Sequence, residues 1–276
     1  MLKESINESK ILNQFREITG VIYQNWWAER NGGNISVLLD ESFVDSFKIN
    51  NEFSKTKDLP FECPSLDGKF FLVTGSGKYY RNISKFNETA CNAGIIQIFD
   101  NGKKIGVVWG FEEGSWPTSE LPSHLLSHVE RLKVNPNHTT VIHSHPTDII
   151  ALTFVEELDE KKFTFNMWKM ISEASVVFPE GIGILEWMLP GSNEIGEQTA
   201  EKMKKYRSVI WAHHGIFCSG ESLDEALGLL ECIEKSAKIY LKILQTNKKI
   251  LNEISVENMK DMSNFFGYEL NEDILK

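Results

Sequence analysis

The sequence is poor in cysteine. Cys63, Cys91, Cys218 and Cys232 are scattered over 276 residues with no C-x-x-C pair. Such sparse, unpatterned cysteines exclude a disulfide scaffold and predict reduced thiols in a cytoplasmic protein. Proline (8) and glycine (19) are not enriched, so collagen-like and low-complexity chains are out. No window approaches 18 uninterrupted apolar residues, so no membrane-spanning helix is expected. The opening segment MLKESINESKILNQF is polar and lacks the apolar stretch of a secretory leader. Positive charge is short as well. Against 39 Asp and Glu stand only 29 Lys and Arg, a net charge of −10. This argues against a general basic face for nucleic acid. An anionic ligand must therefore be drawn by local donors or by a metal.

What remains is an ordinary globular composition, long enough to bury a core without staples. No repeat and no Gly/Ser linker divides the chain, which predicts a single domain over 1–276. Apolar positions from Ile6 to Ile22 recur at helical spacing and predict a helix over 5–28. Residues 40–68 read as a polar, irregular surface excursion. Strands are predicted at ISVLL (35–39), 70–75, 95–99, 106–111, Val141–His145 and SVIWAHH (208–214), with short extended pieces at VVFP and GILEWM. Helices are predicted after Thr118-Ser119-Glu120, from about Asp148, through 161–173, over 192–205, over 222–244 and within 253–266. Interleaved strands and helices with several hairpin-length connections indicate an α/β fold, a mixed or antiparallel central sheet with helices packed on it.

His143 and His145 stand two apart on a predicted strand that Pro146 ends. A period of two puts both imidazoles on one face, a geometry suited to two nitrogen ligands on one metal. A third ligand must come from elsewhere, and His213-His214-Gly215 closes another strand; spacing does not choose between the two histidines. Three histidines with an open position form a catalytic zinc arrangement, while a hydrogen-bonded strand-end pair is the plain alternative. Glu120, His124 and His128 share a helix face at i, i+4 and i+8. They are either a rival metal site or hydrogen-bonded groups under the helix, and the second reading is preferred.

Two segments are rich in glycine with hydroxyl or amide neighbours, Asn31-Gly32-Gly33-Asn34 and Thr74-Gly75-Ser76-Gly77-Lys78. Consecutive backbone N–H groups at glycine can turn toward one point and hold an anion. Ser119 at a helix start adds a donor. Neither segment has Walker A or dinucleotide-fold spacing. Together with the histidines they predict a small phosphorylated ligand beside a metal.

The segments NGGNIS, FLVTGSG, PTSELP, VIHSH, VFPEGIGI and WAHHGIF occur in one order over about residues 10–265. In that order and wording the chain resembles the class II aldolase/adducin family. The resemblance implies an α/β/α domain around a largely antiparallel sheet, Zn2+ as cofactor, a phosphorylated ketose as substrate, and a homotetramer with sites at subunit boundaries. It implies His143, His145 and His214 as zinc ligands and Glu120 as the catalytic carboxylate. Glu173 is implied as a second carboxylate at the aldehyde end. Phosphate contacts are implied at Asn31, Gly32, Asn34, Ser76, Gly77 and Ser119. His213 departs from the family pattern and is read as pointing away from the metal. The expected reaction is metal-assisted aldol cleavage, the nearest alternatives being an aldolase or 4-epimerase acting on another sugar phosphate. A non-catalytic interaction module would be expected to lack metal ligands, and here they are present.

Overall fold

The computed structural model describes residues 6–47, 49 and 52–276. In chain order the elements are α1 (Lys10–Gln24), β1 (Asn34–Leu39), α2 (Glu41–Ser46), β2 (Lys55–Asp58), β3 (Phe70–Thr74), α3 (Tyr80–Ile83), α4 (Thr89–Asn92), β4 (Ala93–Phe99) and β5 (Lys104–Gly110). There follow α5 (Leu121–Val134), β6 (Thr140–Ser144), α6 (Thr147–Leu152), α7 (Glu160–Trp168), α8 (Ser172–Val177) and β7 (Gly183–Leu185). The chain then forms α9 (Asn193–Met203), β8 (Ser208–Trp211), β9 (Gly215–Gly220), α10 (Leu223–Gln245) and α11 (Val256–Phe266). Among the described residues, nine strands join one sheet in the order β2-β5-β4-β3-β1-β6-β9-β8-β7. Every pairing is antiparallel except β7 with β8. The α/β architecture with a largely antiparallel sheet is therefore as expected from the sequence.

Strand alternation sorts the core into two layers. Ile35, Val37 and Leu39 of β1, Leu72 of β3, Ile142 of β6 and Ile216 and Cys218 of β9 share one core with residues of α1, α7, α8 and α10. The neighbours Phe71 and Val73 pack with Leu125 of α5, and Val141, Trp211 and Phe217 pack with Ile195 and Met203 of α9. The side chains of Asn34, Ser36 and His143 follow the second parity and so lie beneath α5. The long helices are also fixed at their starts. Ser9 Oγ accepts from Leu12 N at 3.4 Å and Ser222 Oγ from Glu225 N at 3.1 Å, each satisfying a first-turn donor.

Several local expectations are corrected. The 5–28 helix stops at Gln24, because Asn25 caps it and Trp26 takes φ 61°; residue 5 lies outside the described residues. Segment 40–68 is not irregular throughout. Apart from 48, 50 and 51, which are outside the described residues, it holds α2, β2 and a 3-10 turn at Pro64–Leu66. β2 reads KTKD and has no apolar face, since an edge strand can be held by backbone pairing to β5 alone. The 161–173 helix divides into α7 and α8. Trp168, fully buried, donates its Nε1–H to Phe178 O at 3.2 Å across that division. Val176 and Val177 therefore end a helix and are not extended, and the GILEWM strand is only Gly183–Leu185. β8 ends at Trp211, and 212–214 is a turn with His213 at φ 63°.

Candidate metal centre and active site

β1 and β6 are antiparallel neighbours with Asn34 directly opposite His143, and β9 places Phe217 opposite His143 on the other side. Stacking on Phe217, with ring centroids 4.3 Å apart and 17° between planes, fixes the His143 ring. His145 follows two residues later, where its N–H and Ser144 Oγ both donate to Trp27 O. His214 comes from the tight turn between β8 and β9. Two glycines permit the approach. A Cβ at Gly215 would meet Ser144 O at 2.3 Å and His145 Cδ2 at 2.9 Å, and one at Gly32 would meet His145 Nδ1 at 2.6 Å.

The result is a triangle of Nε2 atoms. His143 and His145 are 3.2 Å apart, His145 and His214 3.1 Å, and His143 and His214 3.4 Å. Nitrogens at ~2.0–2.1 Å from a tetrahedral zinc are separated by about 3.3 Å, so the triangle fits three corners of such a site. The second ring nitrogens support the fit. His143 Nδ1 donates to Ile216 O at 3.0 Å, and His145 Nδ1 to the Glu29 carboxylate at 2.8 and 3.0 Å. Each leaves a bare Nε2 facing the centre, the outer support expected of metal-binding imidazoles. Burial, reinforced by the neighbouring imidazoles, holds His143 well below its usual pKa, and burial followed by His145 lowers His214 to about 4. These rings are neutral lone-pair donors at neutral pH. Among the described residues this is the one His/Cys/carboxylate cluster that could hold a metal ion.

Glu120 occupies the N-cap position of α5, with Leu121-Pro122 starting the helix. Its carboxylate does not cap the helix. Oε2 accepts from Asn34 Nδ2 at 2.7 Å and lies 3.4 Å from His143 Nε2; Oε1 lies 3.8 Å from His214 Nε2. Burial raises its pKa, partly offset by the Asn34 hydrogen bond and by His145. A carboxylate set against three imidazoles in a largely dry corner is equipped to exchange a proton next to a cation.

The structure brings most of the sequence-predicted site residues together, but not all. Asn34 is buried and both polar atoms of its amide are engaged, Nδ2 by Glu120 and Oδ1 by His124. Gly32 packs on His145. Asn31 is exposed in the adjoining turn. Ser76 and Ser119 line a common pocket of about 260 Å³ because Gly75 bridges to Pro117 beside them; Gly77, at φ 68°, is exposed next to Ser76. Glu173 is exposed on α8 and lines neither this pocket nor the cleft at the histidines. His213 is not part of the triangle, its Nδ1 3.3 Å from Thr153 Oγ1 and its ring 4.1 Å from that of Phe154, but it lines the same cleft as His145 and His214. The preferred reading of His124 and His128 holds, since both hydrogen-bond Ser36 under α5. Sequence reasoning missed Glu29, whose signal was its place in the ERNGGN segment. It also missed Trp26, Ile150 and Trp187, which line a cleft of about 550 Å³ with Glu29, His145 and His214.

Similarities to known proteins agree with this arrangement. A rhamnulose-1-phosphate aldolase of Listeria monocytogenes is 43% identical over 268 residues, 97% of each chain. One of Enterococcus faecalis is 43% identical over 236 residues, covering 86% of this chain and 84% of its own. The crystal structure of a sugar-phosphate aldolase from Thermotoga maritima superposes with a TM-score of 0.74 at 28% identity, covering 88% of this chain and 98% of that one. The profile of the Class II Aldolase and Adducin N-terminal domain matches residues 13–241. With that match running from α1 to α10 and taking in every histidine of the triangle, the chain belongs to the class II aldolase and adducin family.

Proposed function

We propose that this chain is a zinc-dependent aldolase that reversibly cleaves L-rhamnulose 1-phosphate to dihydroxyacetone phosphate and L-lactaldehyde. The observation that carries the reading is the Nε2 triangle with the Glu120 carboxylate on its flank. The two curated relatives, both named rhamnulose-1-phosphate aldolase, support the choice of sugar. Three imidazole nitrogens suit zinc among the divalent ions of metabolism. When bound, the cation supplies Lewis-acid stabilisation for the charge released as the C3–C4 bond breaks, worth several kcal/mol.

The chain's own residues do the rest. His143, His145 and His214 would hold the cation, with the Glu120 carboxylate beside it. Glu120, raised in pKa by burial, carries the proton to and from C3. Ser76, Gly77 and Ser119, with backbone groups of Asn31 and Gly32, hold the phosphate and so fix the reacting carbons. The amide of Asn34 orients Glu120 from within the same shell. Trp26, Ile150 and Trp187 present an apolar wall suited to the methyl end of a 6-deoxy sugar. Glu173, exposed and not among the residues lining this cleft, acts at the C4 hydroxyl of a site in a neighbouring copy, within a cytoplasmic homotetramer. Exposed Phe154, Val155, Trp187 and Leu189 are consistent with such packing.

The test is a zinc determination on purified protein together with cleavage assays on rhamnulose 1-phosphate and fuculose 1-phosphate. The expected result is one zinc per chain and a strong preference for the rhamnulose ester. Equal rates on both esters would overturn the choice of sugar, and cleavage that survives complete zinc removal would overturn the metal-dependent mechanism. Glu120→Gln should keep zinc and lose most turnover.

A further inference from the structure

His124 and His128 are fully buried beneath α5, with no part in the metal triangle. They belong instead to a continuous run of hydrogen bonds that ends on Glu120. His128 Nε2 lies 2.8 Å from Ser36 Oγ, Ser36 Oγ 2.7 Å from His124 Nδ1, His124 Nε2 contacts Asn34 Oδ1, and Asn34 Nδ2 lies 2.7 Å from Glu120 Oε2.

The donor inventory gives this run one direction. A carboxylate only accepts, so Asn34 must turn its NH2 to Glu120 and its oxygen to His124. That oxygen only accepts, so His124 carries its proton on Nε2 and leaves Nδ1 bare. Ser36 then donates to Nδ1, and its oxygen accepts from His128 Nε2–H. The run stops at His128 Nδ1, which is buried without a partner. Burial keeps both rings uncharged, pushing His124 well below its usual pKa and His128 to about 3. The links from His128 to Asn34 are therefore neutral, and polarisation along them strengthens the last donor, the Asn34 NH2 on the Glu120 carboxylate.

The geometry points to His128, Ser36 and His124 as positioning residues that, through Asn34, aim Glu120 Oε2 at the histidine triangle. Apolar side chains of the same shape would pack under α5 at little cost to stability, because a fully exchanged hydrogen-bonded pair is nearly neutral. What they could not do is fix which amide atom of Asn34 meets the carboxylate. This inference rests on the aldolase reading for the role of Glu120, but the direction of the run does not.

Two experiments test it. Neutron diffraction on deuterium-exchanged wild-type crystals should show deuterium on Nε2 and none on Nδ1 of both His124 and His128; deuterium on Nδ1 of His124 would overturn the assigned direction. Kinetics on H128L and H128Q, with zinc content measured, should show kcat reduced about tenfold in H128L, the size of one buried hydrogen bond. KM and zinc per chain should be unchanged, and H128Q, which keeps a donor, should recover most of the loss. Unaltered kcat in H128L, equal impairment of H128Q, or a loss lying in KM or zinc would reject the positioning role. If H128L does not fold, S36A, which breaks the same run one link nearer Glu120, carries the kinetic test with the same expected loss in kcat alone, and the neutron map still decides the direction. A zinc-loaded wild type inactive on rhamnulose 1-phosphate would refute the aldolase reading and leave the neutron result standing.

Discussion

Removing the Glu29 carboxylate should weaken metal binding without touching a metal ligand. Its two oxygens share the single Nδ1–H of His145 at 2.8 and 3.0 Å, which holds that ring in the tautomer with Nε2 bare. The same hydrogen bond is the first cause of the lowered Glu29 pKa. Without it the ring can reorient and its proton can move to the ligating nitrogen. Loss of such outer partners costs 10- to 100-fold in metal affinity. The Glu29 side chain is 66% exposed, so solvent screens the charge and replaces part of the bond, and the lower end applies. E29A should therefore raise the zinc dissociation constant about tenfold, equivalent to about 1.4 kcal/mol. E29Q retains an acceptor oxygen and should stay within about threefold of wild type, the gap narrowing at high salt as screening removes the charge contribution. Competition against a chromophoric chelator at fixed pH measures both variants. An E29A constant indistinguishable from wild type would refute the tautomer argument. Equal weakening in both variants would show that charge, and not the acceptor, matters.

Three other outcomes can be checked alongside it. G215A should lose zinc binding and fold poorly, because the added methyl would sit 2.3 Å from Ser144 O, a backbone atom that cannot swing aside; normal zinc content by elemental analysis would contradict this. W211A should cost about 3–5 kcal/mol in urea unfolding, since it empties the space beside His143 and Phe217, whereas W211F should lose little more than the 2.9 Å bond to Thr199 Oγ1. Glu234 is buried in α10, accepting from the backbone N–H groups of Asp148 and Ile149, and burial raises its pKa from 4.5 to about 7. The folded state thus binds the proton more tightly than the unfolded chain. Its contribution to stability is complete below about pH 4.5 and is lost as pH rises through about 7. E234Q should flatten the unfolding midpoint over that window, and an unchanged pH slope would remove Glu234 as its source.

The layers of this fold were legible because strand alternation and helix periodicity act on every residue. ISVLL and FFLVT each divide cleanly between the two core layers, and so does GIFCSG, which was not among the predicted strands. β2 was not legible, since KTKD carries no apolar signal; it is held by its pairing with β5 and by lysine contacts to Phe111 O, Ser115 O and the Trp116 ring. The VVFP segment misled for the opposite reason: β-branched residues suggested a strand, but packing of α8 beside Trp168 and α10 overrode the propensity. At the site, H-x-H announced itself through the period of two. The run from His128 to Glu120 joins a helix to a strand 86 to 92 residues away, so spacing could put the histidines on one face but not name Asn34 and Ser36 as what they meet.

β1 lies in the middle of the sheet, yet its neighbour β6 begins only at residue 140. During synthesis on the ribosome, β3 can pair with β1 early, while the other side of β1 stays open until β6, which begins at Thr140, has emerged. That open side is an unpaired, mostly apolar six-residue strand edge in the nascent protein, the kind of exposed backbone that recruits other chains. The strand that carries Asn34 and Ser36 is therefore open to other chains while the protein is being made, and both residues are buried once β6 has docked.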